Sequence, residues 1–184
     1  MNNKDANRFY IITGGPGSGK TSLIEALRAR GFYCAVEAGR EIIQDQAKID
    51  GRALPWRDPL LFAELMLSCD MRSYRRAELS TGPVFFDRGI PDIAGYLRLM
   101  NIPAPRHLQN AVQRFSYNRT VFVAPPWPEI FQQDRERKQD LDEAQRTYQA
   151  LVSTYNALSY QLIELPRLSI EDRCRFVLDH LDRA

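Results

Sequence analysis

Apolar residues gather into five short runs, at positions 9–12, 32–36, 84–86, 120–124 and 160–164. Each is followed within two residues by a glycine, a proline or an acid. Continuous apolar runs of this length, bounded by turn signals, read as strands covered on both faces. The stretches between them carry helical periodicity. From about Ser18, Leu23, Ile24 and Leu27 fall on one side and Glu25, Arg28 and Arg30 on the other, until Gly31 stops the helix. A second helix runs through Ile42, Ile43 and Ala47. Asp58-Pro59 opens a long third one whose apolar face is read as Leu60, Leu61, Leu65, Met66 and Cys69, broken at Thr81-Gly-Pro83. Further helices are expected at about 92–100, 105–115 and 127–133, then through Ala144, Tyr148, Leu151 and Tyr155. A last one is capped by Ser169 and carries a Glu171–Arg175 pair on its face. Strands alternating with helices predict an α/β fold, a three-layer α/β/α sandwich around a five-stranded parallel sheet, as one domain over 1–184. Ligands of such sheets lie at the carboxyl ends of the strands.

Bulk properties narrow the partners. With 184 residues, 44% of them apolar and 26% charged, the chain can bury a core without disulfides or metal. A net charge of +2 and the lack of any Lys/Arg-rich run argue against nucleic acid as a partner. Cys34, Cys69 and Cys174 are few and widely spaced, which points to a reducing compartment and a cytoplasmic protein. The polar segment 1–8 runs straight into the first strand, so no signal peptide is expected, and no apolar run approaches a membrane span.

The first strand leads into Gly14-Gly-Pro-Gly-Ser-Gly-Lys-Thr21, a G-x-x-x-x-G-K-[ST] phosphate loop. Glycines let the backbone wrap an anion, so Gly15, Pro16, Gly17, Ser18, Gly19, Lys20, Thr21 and Ser22 are the expected nucleotide cradle. Lys20 supplies counter-charge to the β- and γ-phosphates, and the Thr21 hydroxyl, in the first helical turn, can ligate Mg²⁺. ATP and Mg²⁺ are therefore the expected cofactors.

Other strand ends supply further candidates. Asp87, after three apolar residues, stands where a second Mg²⁺ ligand is needed, or else simply caps the next helix. Arg88 can reach a transferring or accepting phosphate, or sit on the surface. Glu37 can orient or deprotonate an acceptor hydroxyl, or pair locally with Arg40 in a cluster that includes Glu41. Arg72, with Arg75 and Arg76, lies late in the long helix, on the stripe of Leu61, Leu65 and Cys69. It faces either the cleft or solvent. The charged segment 132–146, with Arg135, Arg137, Lys138 and Arg146, has the composition of a lid over phosphates, although its interleaved acids also allow a plain surface helix. Trp127 and Tyr148 read as packing residues, and His107 and His180 receive no role.

These segments together resemble the kinase-like P-loop proteins often labelled AAA-family ATPases in bacteria. They resemble the ribosylnicotinamide kinase domain and, more distantly, deoxynucleoside and thymidylate kinases. The likeness rests on the phosphate loop, Glu37-x-x-Arg40-Glu41, Phe-Phe-Asp87-Arg88-Gly89, the arginine-bearing lid, and Leu165-Pro166 followed by Ser169-Ile-Glu-Asp-Arg173. It implies that Glu37 meets the acceptor and that Asp87 and Arg88 form an acid–arginine pair. It also implies that Arg72 holds a substrate phosphate, that Arg135 and Arg137 are lid arginines, and that Leu165 and Pro166 touch adenine. Two departures separate the chain from ring-forming AAA motors. No segment of the 184 residues is expected to form their second helical domain, and no hydrophobic strand ends in an Asp-Glu pair. The expected activity is an ATP- and Mg²⁺-dependent phosphotransfer to a small hydroxyl or phosphate acceptor, the alternative being a nucleotide-dependent switch with little turnover.

Overall fold

The computed structural model describes residues 6–130 and 141–181. Five parallel strands, β1 (Phe9–Gly14), β2 (Tyr33–Ala35), β3 (Val84–Asp87), β4 (Thr120–Ala124) and β5 (Gln161–Glu164), lie in the order β2-β3-β1-β4-β5. Seven helices flank them: α1 (Lys20–Ala29), α2 (Ala38–Lys48), α3 (Pro59–Ala77), α4 (Ile90–Leu99), α5 (Arg106–Arg114), α6 (Leu141–Ala157) and α7 (Ile170–Leu181). The parallel α/β/α sandwich expected from the alternation is the fold observed.

Strand β1 is central, and all six of its residues are buried. Side chains of a strand alternate between faces, so β1 serves both layers. Phe9 and Ile11 pack with Tyr74, Val84, Phe86, Ile90, Ile93 and Tyr155 on the side of α3, α4 and α6. Tyr10 and Ile12 pack with Leu23, Leu27, Phe85, Phe122 and Val177 on the side of α1 and α7. Rings meet edge to face at the first of these centres, Phe9 with Tyr74 at 5.0 Å and Phe86 with Tyr117 at 5.2 Å. Each such fully buried side chain is worth about 1.5–3 kcal/mol, which fixes the register of β1 against its neighbours. Ile12 consequently stands opposite Asp87, and Gly14 opposite Ala124. The phosphate loop and the acid thus leave the sheet at the same edge.

Four expectations need correction. Helix α1 begins at Lys20, not near Ser18, because Gly19 still occupies a left-handed conformation (φ 73°). Strand β2, expected over 32–36 and covered on both faces, is a short edge strand beside β3 whose first residue, Tyr33, is exposed. The apolar face of α3 is not led by Leu60 and Leu61, each 40% exposed, but by Phe62, Ala63, Leu67, Tyr74 and Ala77. The reason is the cap: the Asp58 carboxylate accepts from Leu61 N at 3.0 Å, and the helix enters the core only from its next residue. Finally, Glu171 pairs with Arg30 across the α1–α7 interface, while Arg175 pairs with Asp172 at 3.2 Å, so the expected Glu171–Arg175 pair does not form.

Candidate active site

Between β1 and α1 the chain makes its closest turn. An added Cβ at Gly14 (φ 135°) would collide with the Ala124 carbonyl oxygen, and Gly19 also lies in the left-handed region. With no side-chain cap at Gly19, the first N–H groups of α1 remain available for an anion. Lys20 is 6% exposed; its Nζ donates to the Gly15 carbonyl at 2.6 Å and to Ser18 Oγ at 3.2 Å. The ammonium is therefore held over the loop. Pro16 borders the neighbouring cavity, and Gly17, Thr21 and Ser22 are exposed at the loop's mouth. Behind the loop, Arg173 of α7 donates to the Ser18 carbonyl at 3.2 Å and to the Gly19 carbonyl at 3.4 Å. Its guanidinium also lies over the Trp127 ring, 5.6 Å from the centroid.

At the neighbouring strand end, Asp87 is buried, and its Oδ1 has no hydrogen-bond partner among the described residues. Burial foremost, then the Glu37 carboxylate, raises its pKa to about 6, against the pull of Lys20 and Arg88. Arg88 follows in a left-handed conformation (φ 70°), uncommon for a side chain of its size and held by its N–H to the Ile12 carbonyl at 3.1 Å. That backbone turn points the guanidinium back across the cleft, where Nε meets Glu37 Oε1 at 3.2 Å and Nη1 meets Asp92 Oδ1 at 3.4 Å. Burial opposes its charge, but the Glu37, Asp92 and Asp87 carboxylates outweigh that and hold its pKa above the ordinary arginine value. Asp92, in the first turn of α4, ties the arrangement together. Its carboxylate accepts from Thr13 Oγ1 of β1, from Tyr155 Oη of α6 at 2.5 Å and from Gly89 N at 2.9 Å.

These groups open onto a cavity of about 1210 Å³. Ile43, Phe62, Met66 and Ile93 furnish apolar walls, and Asp70 and Tyr96 add polar tips. Among the predicted residues, Glu37, Asp87 and Arg88 meet here beside Pro16. Arg40 is exposed on α2 and does not line the cavity, although Gly39, Ile43 and Gln44 of the same helix do. Arg72 is exposed outside it, its Nη2 donating to Cys69 Sγ at 3.2 Å, so of the two alternatives it faces solvent, although Leu65 and Cys69 of the same stripe pack partly against Ile43 and Phe62. The Leu165 side chain is only 1% exposed and belongs to the core, leaving half-buried Pro166 as the side chain of that pair open to a base. Arg135, Arg137 and Lys138 lie outside the described residues, as does the expected lid except for 141–146, which is the start of α6.

Asp70, Asp92, Tyr96 and Arg173 escaped sequence reasoning. Asp92 had a readable sign, an acid three residues past Gly89 at a helix start. Asp70 lies two turns beyond Phe62 and one beyond Met66, so the corrected face of α3 would have found it.

The residues fit Mg²⁺. Asp87 brings a buried carboxylate oxygen in need of a partner and Thr21 an exposed hydroxyl at the head of α1. An ion there would be held by one or two protein oxygens and otherwise by phosphate and water.

A family model described as an AAA domain matches residues 9–173. The chain belongs to that family. Its fold is shared with deoxyadenosine kinase from M. mycoides in a structure with bound dATP, at a TM-score of 0.67 and 13% identity over 95% of this chain and 99% of that one. Thymidylate kinase from Ehrlichia chaffeensis aligns with a TM-score of 0.63 and 13% identity, over 96% and 99% of the two chains. Thymidylate kinase from Candida albicans gives 0.68 and 11%, over 97% and 92%. No curated protein sequence matches significantly. The chain is thus a kinase-like P-loop NTPase in fold, and no helix among the described residues is long and apolar enough to cross a membrane.

Proposed function

We propose that this protein is an ATP-dependent phosphotransferase that acts on a small acceptor held in the cavity beside the phosphate loop. The observation that carries the reading is the Glu37–Arg88 pair at 3.2 Å, where that cavity meets the strand edge from which the loop departs. A nucleotide switch needs the loop and segments that respond to the γ-phosphate, but no pocket for a second reactant. A carboxylate and a guanidinium set together at the far side of the loop serve a second reactant.

In this reading the loop N–H groups and Lys20 hold the β- and γ-phosphates, with Arg88 across from them. Glu37 accepts the proton of the acceptor hydroxyl as its oxygen bonds to the γ-phosphorus. The bond from phosphorus to the β,γ-bridging oxygen breaks, and ADP leaves with the electron pair. Thr21 and Asp87 would hold Mg²⁺, which supplies charge neutralisation on the phosphates. Arg88 keeps Glu37 oriented, and Asp92 keeps Arg88 in place. Arg135 and Arg137 would add positive charge over the transferring group.

The test is an ADP-release screen with nucleosides, nucleoside monophosphates and nicotinamide riboside as acceptors. Release that rises well above the ATP-only rate with one acceptor class, and disappears in Lys20→Ala, supports phosphotransfer. Release indifferent to every acceptor supports the switch.

A further inference from the structure

The cavity does not end at the charged groups beside the phosphate loop. Gly39, Ile43 and Ala47 of α2 line it, as do Asp92 and Tyr96 of α4 and Met100 just past that helix. Residues four apart stack on one side of a helix, and eight residues rise about 12 Å, so the cavity follows both helices lengthwise. Both start beside Arg88, whose ion partners are Glu37, ahead of α2, and Asp92, in the first turn of α4. Their far ends therefore carry the cavity about 12 Å away from that charged cluster. Helix α3 runs the other way. Its Asp70 lies among the carboxylates of Glu37, Asp87 and Asp92, so Pro55 and Trp56, ahead of its first residue, line the far end.

The chemistry of the lining changes along this length. Glu37, Asp87, Arg88 and Asp92 mark the inner end; Ala47, Pro55, Trp56, Leu99 and Met100 mark the outer one, with Lys48 beside them paired to Asp45 at 3.2 Å. Trp56 is 63% exposed and Met100 38%. The turn before α3 fixes the indole there. Leu54 is buried with Ile43 and Phe62, Ala53 N donates to Gln46 Oε1 at 3.1 Å, and Arg57 N and Asp58 N both donate to the Leu54 carbonyl at 3.0 Å. An indole held in water at a cavity mouth by these ties offers apolar surface to a ligand with little left to order on binding. A continuous cavity that is charged at its reactive end and apolar at its open end matches one molecule of the same two-part character.

Resting on the phosphotransferase reading, we infer that the acceptor is an amphiphile, with a compact polar head that brings its hydroxyl to Glu37 and Arg88 and an apolar tail that runs between α2 and α4 to the mouth at Trp56 and Met100. The head sets where phosphoryl transfer occurs. The tail, through Trp56 and Met100, sets which hydroxyl compounds are accepted.

The test uses acceptor pairs that share a head and differ in the tail: glycerol and 1-O-octylglycerol, ethanolamine and 2-amino-1-octanol, adenosine and N6-benzyladenosine. Tailed members are kept below the concentrations at which they form micelles. ADP release is measured in the wild type, Trp56→Ala and Met100→Gln, with thermal unfolding as the folding check. In every pair that stimulates release, the tailed member should have a roughly ten-fold or higher advantage in kcat/KM. Trp56→Ala should cut that advantage by roughly three-fold or more, and Met100→Gln should act in the same direction and decides the matter if Trp56→Ala does not fold. A tail-free member that serves as well as its partner, or an advantage unmoved by the folded variant, overturns the inference while leaving phosphotransfer standing. ATP binding with no response to any acceptor overturns phosphotransfer itself, and the inference with it.

Discussion

Arg173 and Ser18 lie 155 positions apart, yet the guanidinium of one donates to the backbone carbonyl of the other at 3.2 Å. The contact gives the phosphate loop a charged brace from behind. Arg173 is 1% exposed, burial lowers its pKa, and no ion pair with a described carboxylate offsets that cost. A positive charge kept at such expense against two loop carbonyls strengthens the field at the phosphate side and fixes the carbonyl orientations. Hydrogen bonds to charged groups are worth about 1.5–3 kcal/mol each. Arg173→Met keeps much of the volume and loses both bonds. It should weaken ATP binding by roughly ten- to a hundred-fold, measured by titration calorimetry. Wild-type affinity in a folded variant would reduce Arg173 to a core filler.

Asp92 joins three elements through four donors, so its replacement should be felt in stability before it is felt in chemistry. Asp92→Asn keeps the shape but sets an amide against the Thr13, Tyr155, Gly89 and Arg88 donors. Leaving a buried network half satisfied and Arg88 short of a charge partner should cost about 3–5 kcal/mol. Chemical denaturation checks this. A loss under about 1 kcal/mol would mean that the network is loose enough to rearrange.

Glu37→Gln separates proton acceptance from geometry, since the amide oxygen can still face Arg88. If Glu37 takes the acceptor proton, kcat should fall by about 10²–10⁴-fold with little change in the KM for ATP. Retained kcat would leave Glu37 as a structural partner of Arg88.

The fold was legible because its three inner strands, β1, β3 and β4, are buried on both faces and therefore written as unbroken apolar runs, and because the phosphate loop names β1 and α1 at once. The candidate site was legible where a strand ended in a charged residue, as at Glu37 and Asp87-Arg88. It was obscure where a helix set the direction. On α3, a reading begun from exposed Leu60 and Leu61 rotated the face, leaving Arg72 open to either cleft or solvent and hiding Asp70. The resemblance named Leu165 without saying where its side chain lies: a residue just past a strand end still belongs to one face of the sheet, and here it is the core face. Arg173 gave no local sign, since its partner is the loop 155 residues earlier.

The acidic cluster should also leave a mark on stability against pH. Asp70 of α3 faces Asp92 of α4, Glu37 ahead of α2, and Asp87 and Arg88 at the end of β3. Burial first, then the Asp92 and Glu37 carboxylates, pushes its pKa up to about 8, with Arg88 opposing. In the unfolded chain an aspartate titrates near 4. A folded pKa above the unfolded one means that the native state holds a proton the unfolded state has released. The favourable contribution is therefore complete below about pH 4 and is lost as pH rises through about 8. Asp87, raised to about 6, adds a decline of the same sign that ends sooner. Asp70→Asn removes the first decline and leaves the second. Between pH 6 and pH 8 the variant should hold nearly constant stability while the wild type weakens. Urea unfolding at half-unit intervals of pH measures both slopes, and parallel curves would mean that Asp70 ionises in the folded protein much as it does in the unfolded chain.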